Sequence, residues 1–169
     1  MERRIFELKQ FKKISALLLA VCVVLGLASC SKKEIPNPTP ESVIDSFYTA
    51  WEKSDAKTIV SLTCEPMWEV EAKSAEIAVD ELKTNLRQIY AEESGSDVYY
   101  KILKTTQYKE TDEEYENIYN WAKERYDIEI EGYAVVRVAV TYDNGEPVTQ
   151  NMDVIKYEDN WYARDLLGI

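Results

Sequence analysis

Tyr133-Ala134-Val135-Val136-Arg137-Val138-Ala139-Val140-Thr141-Tyr142 is the stretch that decides the fold. Ala134, Val136, Val138, Val140 and Tyr142 alternate with residues of mixed character, the period of a strand with one buried face. Asp143-Asn144-Gly145-Glu146 follows and has the composition of a hairpin turn. Val148, Met152 and Val154 bring the chain back as a second strand, and Asp159-Asn160 turns it again into Trp161-Tyr162-Ala163. The C-terminal part is therefore an antiparallel meander.

Upstream, the period changes to that of helices. Thr39 suits a helix cap, Pro40 the first helical position and Glu41 the positive helix end. Val43, Ile44, Phe47, Tyr48 and Trp51 then recur at helical spacing, with Asp45 on the opposite side. Ala56 to Leu62 predicts a short helix that breaks near Pro66. Ala75, Ala78, Val79, Leu82, Leu86, Ile89 and Tyr90 predict a longer one, closed by Gly95. Val98, Tyr100, Ile102 and Tyr108 share one side of a predicted strand. Thr111-Asp112-Glu113-Glu114 has the capping-box form ahead of a helix faced by Tyr115, Ile118, Tyr119, Ala122 and Tyr126. Helices first and an antiparallel sheet last define an α+β domain.

The N-terminus carries a different message. Arg3, Arg4, Lys9, Lys12 and Lys13 precede an uncharged run from Ile14 to Ala28. That run is about 15 residues, short of the ~20 a helix needs to cross a bilayer. With small residues before a cut site, it has the parts of a secretory signal. Leu27-Ala28-Ser29-Cys30 resembles the lipobox of bacterial lipoproteins. That resemblance implies cleavage before Cys30, lipidation of its sulfur, and a domain held outside the cytoplasm on the plasma membrane or on an outer membrane. Stable anchoring needs two or more acyl chains. Residues 1–29 are then the signal, 30–39 the lipidated cysteine and a Pro-containing tether, and 40–169 a single domain.

Loss of residues 1–29 removes five cations and two carboxylates, taking the formal net charge from −11 to −14. Such a domain is repelled by nucleic acid, which is not expected as a partner. Cys22 leaves with the signal and Cys30 is lipidated, so Cys64 stands alone as a buried apolar residue without a disulfide. The chain has no His. Triads built on His, and the common zinc sites, are thereby excluded. No cofactor and no metal are expected: Asp112, Glu113, Glu114 and Glu116 lack calcium-loop spacing, as does the Asp143–Glu146 turn. Asp45, Asp80, Glu81 and Asp153 lie off the apolar faces as solvated charges, and no catalytic residue is assigned. Arg137 is expected on the outer side of the sheet, paired with a carboxylate.

The element order resembles small bacterial lipoproteins with the nuclear-transport-factor-2-like (cystatin-like) fold. The matching pieces are Pro40 to Tyr48, Trp51 to Asp55, and Lys156 to Tyr162. The resemblance implies a curved sheet wrapped over the helices into a cone, with the 112–126 helix an insertion between strands. Phe47, Trp51 and Trp161 are the candidate pocket or core aromatics. Tyr99, Tyr100, Tyr108, Tyr115, Tyr119 and Tyr126 are the alternative, an exposed face for a partner.

Three functions fit these features. The first is an envelope binding module for a small apolar ligand or an envelope protein. The second is a pocketless interaction module. The third is an enzyme of the isomerase or dehydratase kind. An apolar cavity favours the first, a filled cone with an exposed Tyr patch the second, and a buried carboxylate beside a Tyr in a deep pocket the third.

Overall fold

The computed structural model describes residues 36–95, 97–143, 145–164 and 166, which lie in one compact unit. Cys30 and the signal lie outside the described residues. The domain is α+β. Four helices come first: α1 (Pro40–Glu52), α2 (Ala56–Ser61), α3 (Glu65–Ser74) and α4 (Val79–Glu93). Strand β1 (Val98–Tyr108), helix α5 (Glu113–Tyr126) and strands β2 (Gly132–Tyr142), β3 (Val148–Tyr157) and β4 (Asn160–Ala163) follow. The sheet is antiparallel and open, in the order β1-β2-β3-β4.

Alternation in β2 divides the core. Ala134, Val136, Val138 and Val140 are at most 1% exposed and pack with Val43, Ile44, Phe47 and Tyr48 of α1. Tyr133 and Ile155 face the other way, into a second cluster with Tyr115, Ala122 and Tyr126 of α5 and Met67 and Trp68 of α3. Helix α5 therefore covers one end of the face that the sequence assigns to solvent. The remainder, around Arg137, Ala139 and Thr141, stays uncovered.

Start and stop signals explain most helix boundaries, with three shifts. Thr39 caps α1 reciprocally with Ser42, a capping box in which a serine takes the usual Glu position. At α5 the expected box is absent: Asp112, not Thr111, is the cap, and its Oδ2 accepts from the Lys109 N–H at 2.9 Å. Pro66 opens α3 instead of breaking a helix, because a proline in the first turn removes only an N–H that has no helical partner. The stripe from Ala75 to Tyr90 is likewise two elements: Ala75 caps α3, and α4 starts at Val79. The last hairpin turns on Glu158 and Asp159, with φ of 47° and 64°, one residue before the predicted pair. Two left-handed residues are what a two-residue hairpin loop requires.

β4 is an edge strand, and both its exposed donors are used. Trp161 N–H donates to Asn37 O at 2.9 Å, and Ala163 N–H to Leu62 O at 2.8 Å. Asn37, assigned to the tether by its proline-rich surroundings, is 3% exposed. Its N–H donates to Asn160 Oδ1 and its Oδ1 accepts from Ser46. At the opposite edge, β1 carries a bulge between Ile102 and Lys104, and lysines 101 and 104, devices that discourage edge-to-edge pairing.

Candidate functional site

The space between α1 and the sheet is where a cone would hold a ligand, and aromatic side chains fill it. Phe47 and Tyr48 project from one turn of α1 and Trp51 from the next. Tyr48 stacks on Tyr100 of β1 with ring centroids 4.6 Å apart, and packs edge-on against Phe47 at 5.1 Å. Trp51 lies 5.7 Å from Phe47 and 6.3 Å from Tyr142. Phe47 and Trp161 are buried in this same cluster, and Trp51 is half-buried against it. Phe47 and Trp161 are thus core residues, and Trp51 packs on their margin. The polar ends are also used: Gln150 donates to Tyr48 Oη, and Tyr100 donates to Asp45 Oδ1 at 2.8 Å. Burial pushes the Tyr48 phenol well above the ordinary range. Burial and then Asp45 push Tyr100 up to about 12.

One buried carboxylate escaped the sequence reading. Glu71 of α3 is 4% exposed and lies among Met67, Trp68 and Ala72. Three donors converge on its Oε1: Tyr126 Oη at 2.7 Å, Arg125 Nη2 at 2.8 Å and Arg125 Nε at 3.1 Å. Through Oε1 the carboxylate ties α3 to α5. Its partners lie more than fifty positions away, and no local pattern pairs them. Asp153, expected as a solvated charge, is instead half-buried. It is held by Arg164 at 2.9 Å, whose guanidinium lies over Trp121.

Cys64 is a free thiol, 1% exposed, and burial pushes its pKa to about 11. A protonated thiol is a poor nucleophile. Among the described residues, no group of three or more His, Cys, Asp or Glu side chains could hold a metal ion. No described helix is long and apolar enough to cross a membrane.

The six tyrosines do not form one face. Tyr115 and Tyr126 are buried, Tyr100 lies under Tyr48, and Tyr108 stacks on Tyr133 at 5.1 Å. Tyr115 and Tyr119 line a groove of about 770 Å³ with Glu110, Glu116, Glu129 and Glu131. Tyr115 Oη is committed to Ile130 O at 2.9 Å, and Glu129 and Glu131 to Lys123 and Lys156. Tyr99 alone of the six is well exposed, at 64%, on the uncovered part of the sheet.

That uncovered surface is the candidate site. Strand pairing places Tyr99 beside Thr141, Lys101 beside Ala139, and Lys104 beside Arg137, all on one face. Leu103, pushed out by the bulge, adds a 46%-exposed apolar side chain. Lys104 directly opposite Arg137 is a like-charge cross-strand pair, which costs stability. The carboxylate partner expected for Arg137 is not there: Lys101, Lys104 and Arg137 form no ion pair among the described residues. Three uncompensated cations around an exposed tyrosine and leucine stand out on a strongly acidic chain. No protein-family model, no curated protein and no solved structure matches this chain.

Proposed function

We propose that this protein is a lipid-anchored, extracytoplasmic interaction module. Cys30 holds it to the membrane, and the uncovered face of its sheet docks on an acidic segment of an envelope protein. It catalyses no reaction in this reading. One observation carries it: Phe47, Tyr48, Trp51 and Tyr100 pack together between α1 and the sheet, while Tyr99, Leu103, Lys101, Lys104 and Arg137 stand uncovered on the far side of the sheet. A local like-charge pair is retained where a partner supplies the missing carboxylates. An acidic protein suits this face better than lipid head groups. Asn37 lies on the β4 edge, whereas the cations lie on β1 and β2, at the other side of the sheet.

A photo-crosslinking residue at Tyr99, introduced in the full chain in a bacterial host, tests this. A discrete protein adduct is expected, weakened by added salt and lost in the Lys104→Glu/Arg137→Glu variant. Adducts only with phospholipid, or a protein adduct indifferent to the charge reversals, would overturn the reading.

A further inference from the structure

A second cationic surface lies away from the sheet face, where α2, α3, α4 and β4 meet. Lys57, Ser61, Thr63, Trp68, Lys83, Arg87 and Tyr162 line, with Val60 and Glu65, a recess of about 280 Å³. Lys83 and Arg87 are four residues apart on α4 and share a helix face, an arrangement that is mildly unfavourable for like charges. Lys57 comes from α2, so three cations from two helices meet in one recess of a chain with net charge −11.

The positions are built, not merely decorated. The Lys83 side chain is only 16% exposed, with its ammonium 5.6 Å from the centre of the Trp68 ring. It has three N–H donors. Its one hydrogen-bond acceptor among the described residues is Glu65 Oε2 at 2.6 Å, on a carboxylate 61% exposed. Lys57 and Arg87 make no ion pair among the described residues. Thr63 is 4% exposed, and its Oγ1 is buried without a hydrogen-bond partner among the described residues. A buried hydroxyl without a partner is costly and calls for an explanation.

We infer that this recess binds a phosphate-type oxyanion, with Lys57, Lys83 and Arg87 supplying charge, the Tyr162 hydroxyl orienting it, and Thr63 forming the wall behind it. Such an anion carries several acceptor oxygens, enough for the spare donors of Lys83 and the fork of Arg87. Glu65 opposes it, and keeps Lys83 in place when the recess is empty. The ligand is free phosphate, a phosphorylated small molecule or a phospholipid head group, which share this chemistry.

The test is a titration of the full chain in neutral detergent with sodium phosphate at constant ionic strength. The indole N–H resonance of Trp68 and the amide of Thr63 report the recess. A saturable shift with a midpoint on the order of 1 mM is expected, weakened about tenfold or more in Lys57→Gln/Arg87→Gln. Lys57→Arg/Arg87→Lys should retain the shift, which separates charge from folding. Glycerol phosphate and phosphatidylglycerol vesicles, each in place of inorganic phosphate, distinguish a free ligand from a head group. A non-saturating response, the same response to chloride, or an unchanged midpoint in the neutral double variant would overturn the inference.

Discussion

Tyr126 donates its hydroxyl to Glu71 Oε1 at 2.7 Å, inside the contact between α3 and α5. This bond and the two from Arg125 reinforce the apolar packing of α3 on the helix inserted between β1 and β2. Glu71→Ala should leave the Tyr126 hydroxyl without its acceptor and lower stability by about 2–3 kcal/mol. Arg125 is 47% exposed, so its share is reduced by solvent screening. Glu71→Gln keeps a carbonyl acceptor for Tyr126 and should cost about half as much. Urea unfolding of the two variants checks the order; equal midpoints for Glu71→Ala and the parent chain would remove the tie.

Stability should fall in alkali. Burial, the first cause in each case, raises the phenol pKa of Tyr48, Tyr126 and Tyr133; Glu71 adds to it at Tyr126 and Asp153 at Tyr133. These groups titrate near 10.0 when unfolded. A raised folded value means that the fold binds the proton more tightly, so this contribution is fully present below pH 10.0. It is lost as pH rises through the folded values. Denaturation midpoints should hold steady from about pH 8 to 9 and drop above about 10. Cys64, with its thiol held at about 11, should resist alkylation at neutral pH until the domain unfolds.

Trp161 should behave as a core residue. It is 6% exposed, and a Cβ on Gly132 would come within 3.0 Å of its Cη2 and 3.2 Å of Lys156 Cβ. Trp161→Ala should cost about 3–5 kcal/mol. Gly132→Ala should cost about 1–3 kcal/mol through overpacking. A denaturant melt showing less than about 1 kcal/mol for Trp161→Ala would take the indole out of the core.

Asn37 sets how short the domain can be made. A chain beginning at Thr39 loses the acceptor for Trp161 N–H and the partners of Asn160 and Ser46. It should be less stable by about 2–3 kcal/mol than one beginning at Pro36. Paired thermal melts measure the difference, and coincident curves would assign Asn37 to the tether.

Cys30→Ala should abolish acylation and signal cleavage at this position. Intact-mass analysis of the wild-type chain from a bacterial host is expected to show a lipidated Cys30 as the first residue. An unmodified thiol there would remove the anchor from the proposed function.

Short-range patterns carried the fold class. Period-2 alternation in 134–142 defines a half-buried strand whatever packs on it, and Thr39-Pro40 starts a helix by local hydrogen bonding. Pro66 misled because a proline that breaks a helix and one that opens it look alike without the neighbouring packing. At the candidate site, the sequence put Arg137 on the outer face but supplied it with an imagined carboxylate. Lys104 is its true neighbour, and that register depends on a bulge at Leu103 with no sequence mark.

By itself, then, the sequence determined the α+β order of elements and the face of β2 that turns inward. Each follows from spacing, composition or count within a few turns of chain. Tertiary structure alone decided that Phe47, Tyr48 and Tyr100 pack together against the sheet, that Glu71 is buried under Arg125 and Tyr126, and that the cations at 101, 104 and 137 share one face while those at 57, 83 and 87 share a recess. Those relationships join residues tens of positions apart. Their energy depends on distance and exposure in space, and neither is encoded in the local periodicity that shapes a helix or a strand.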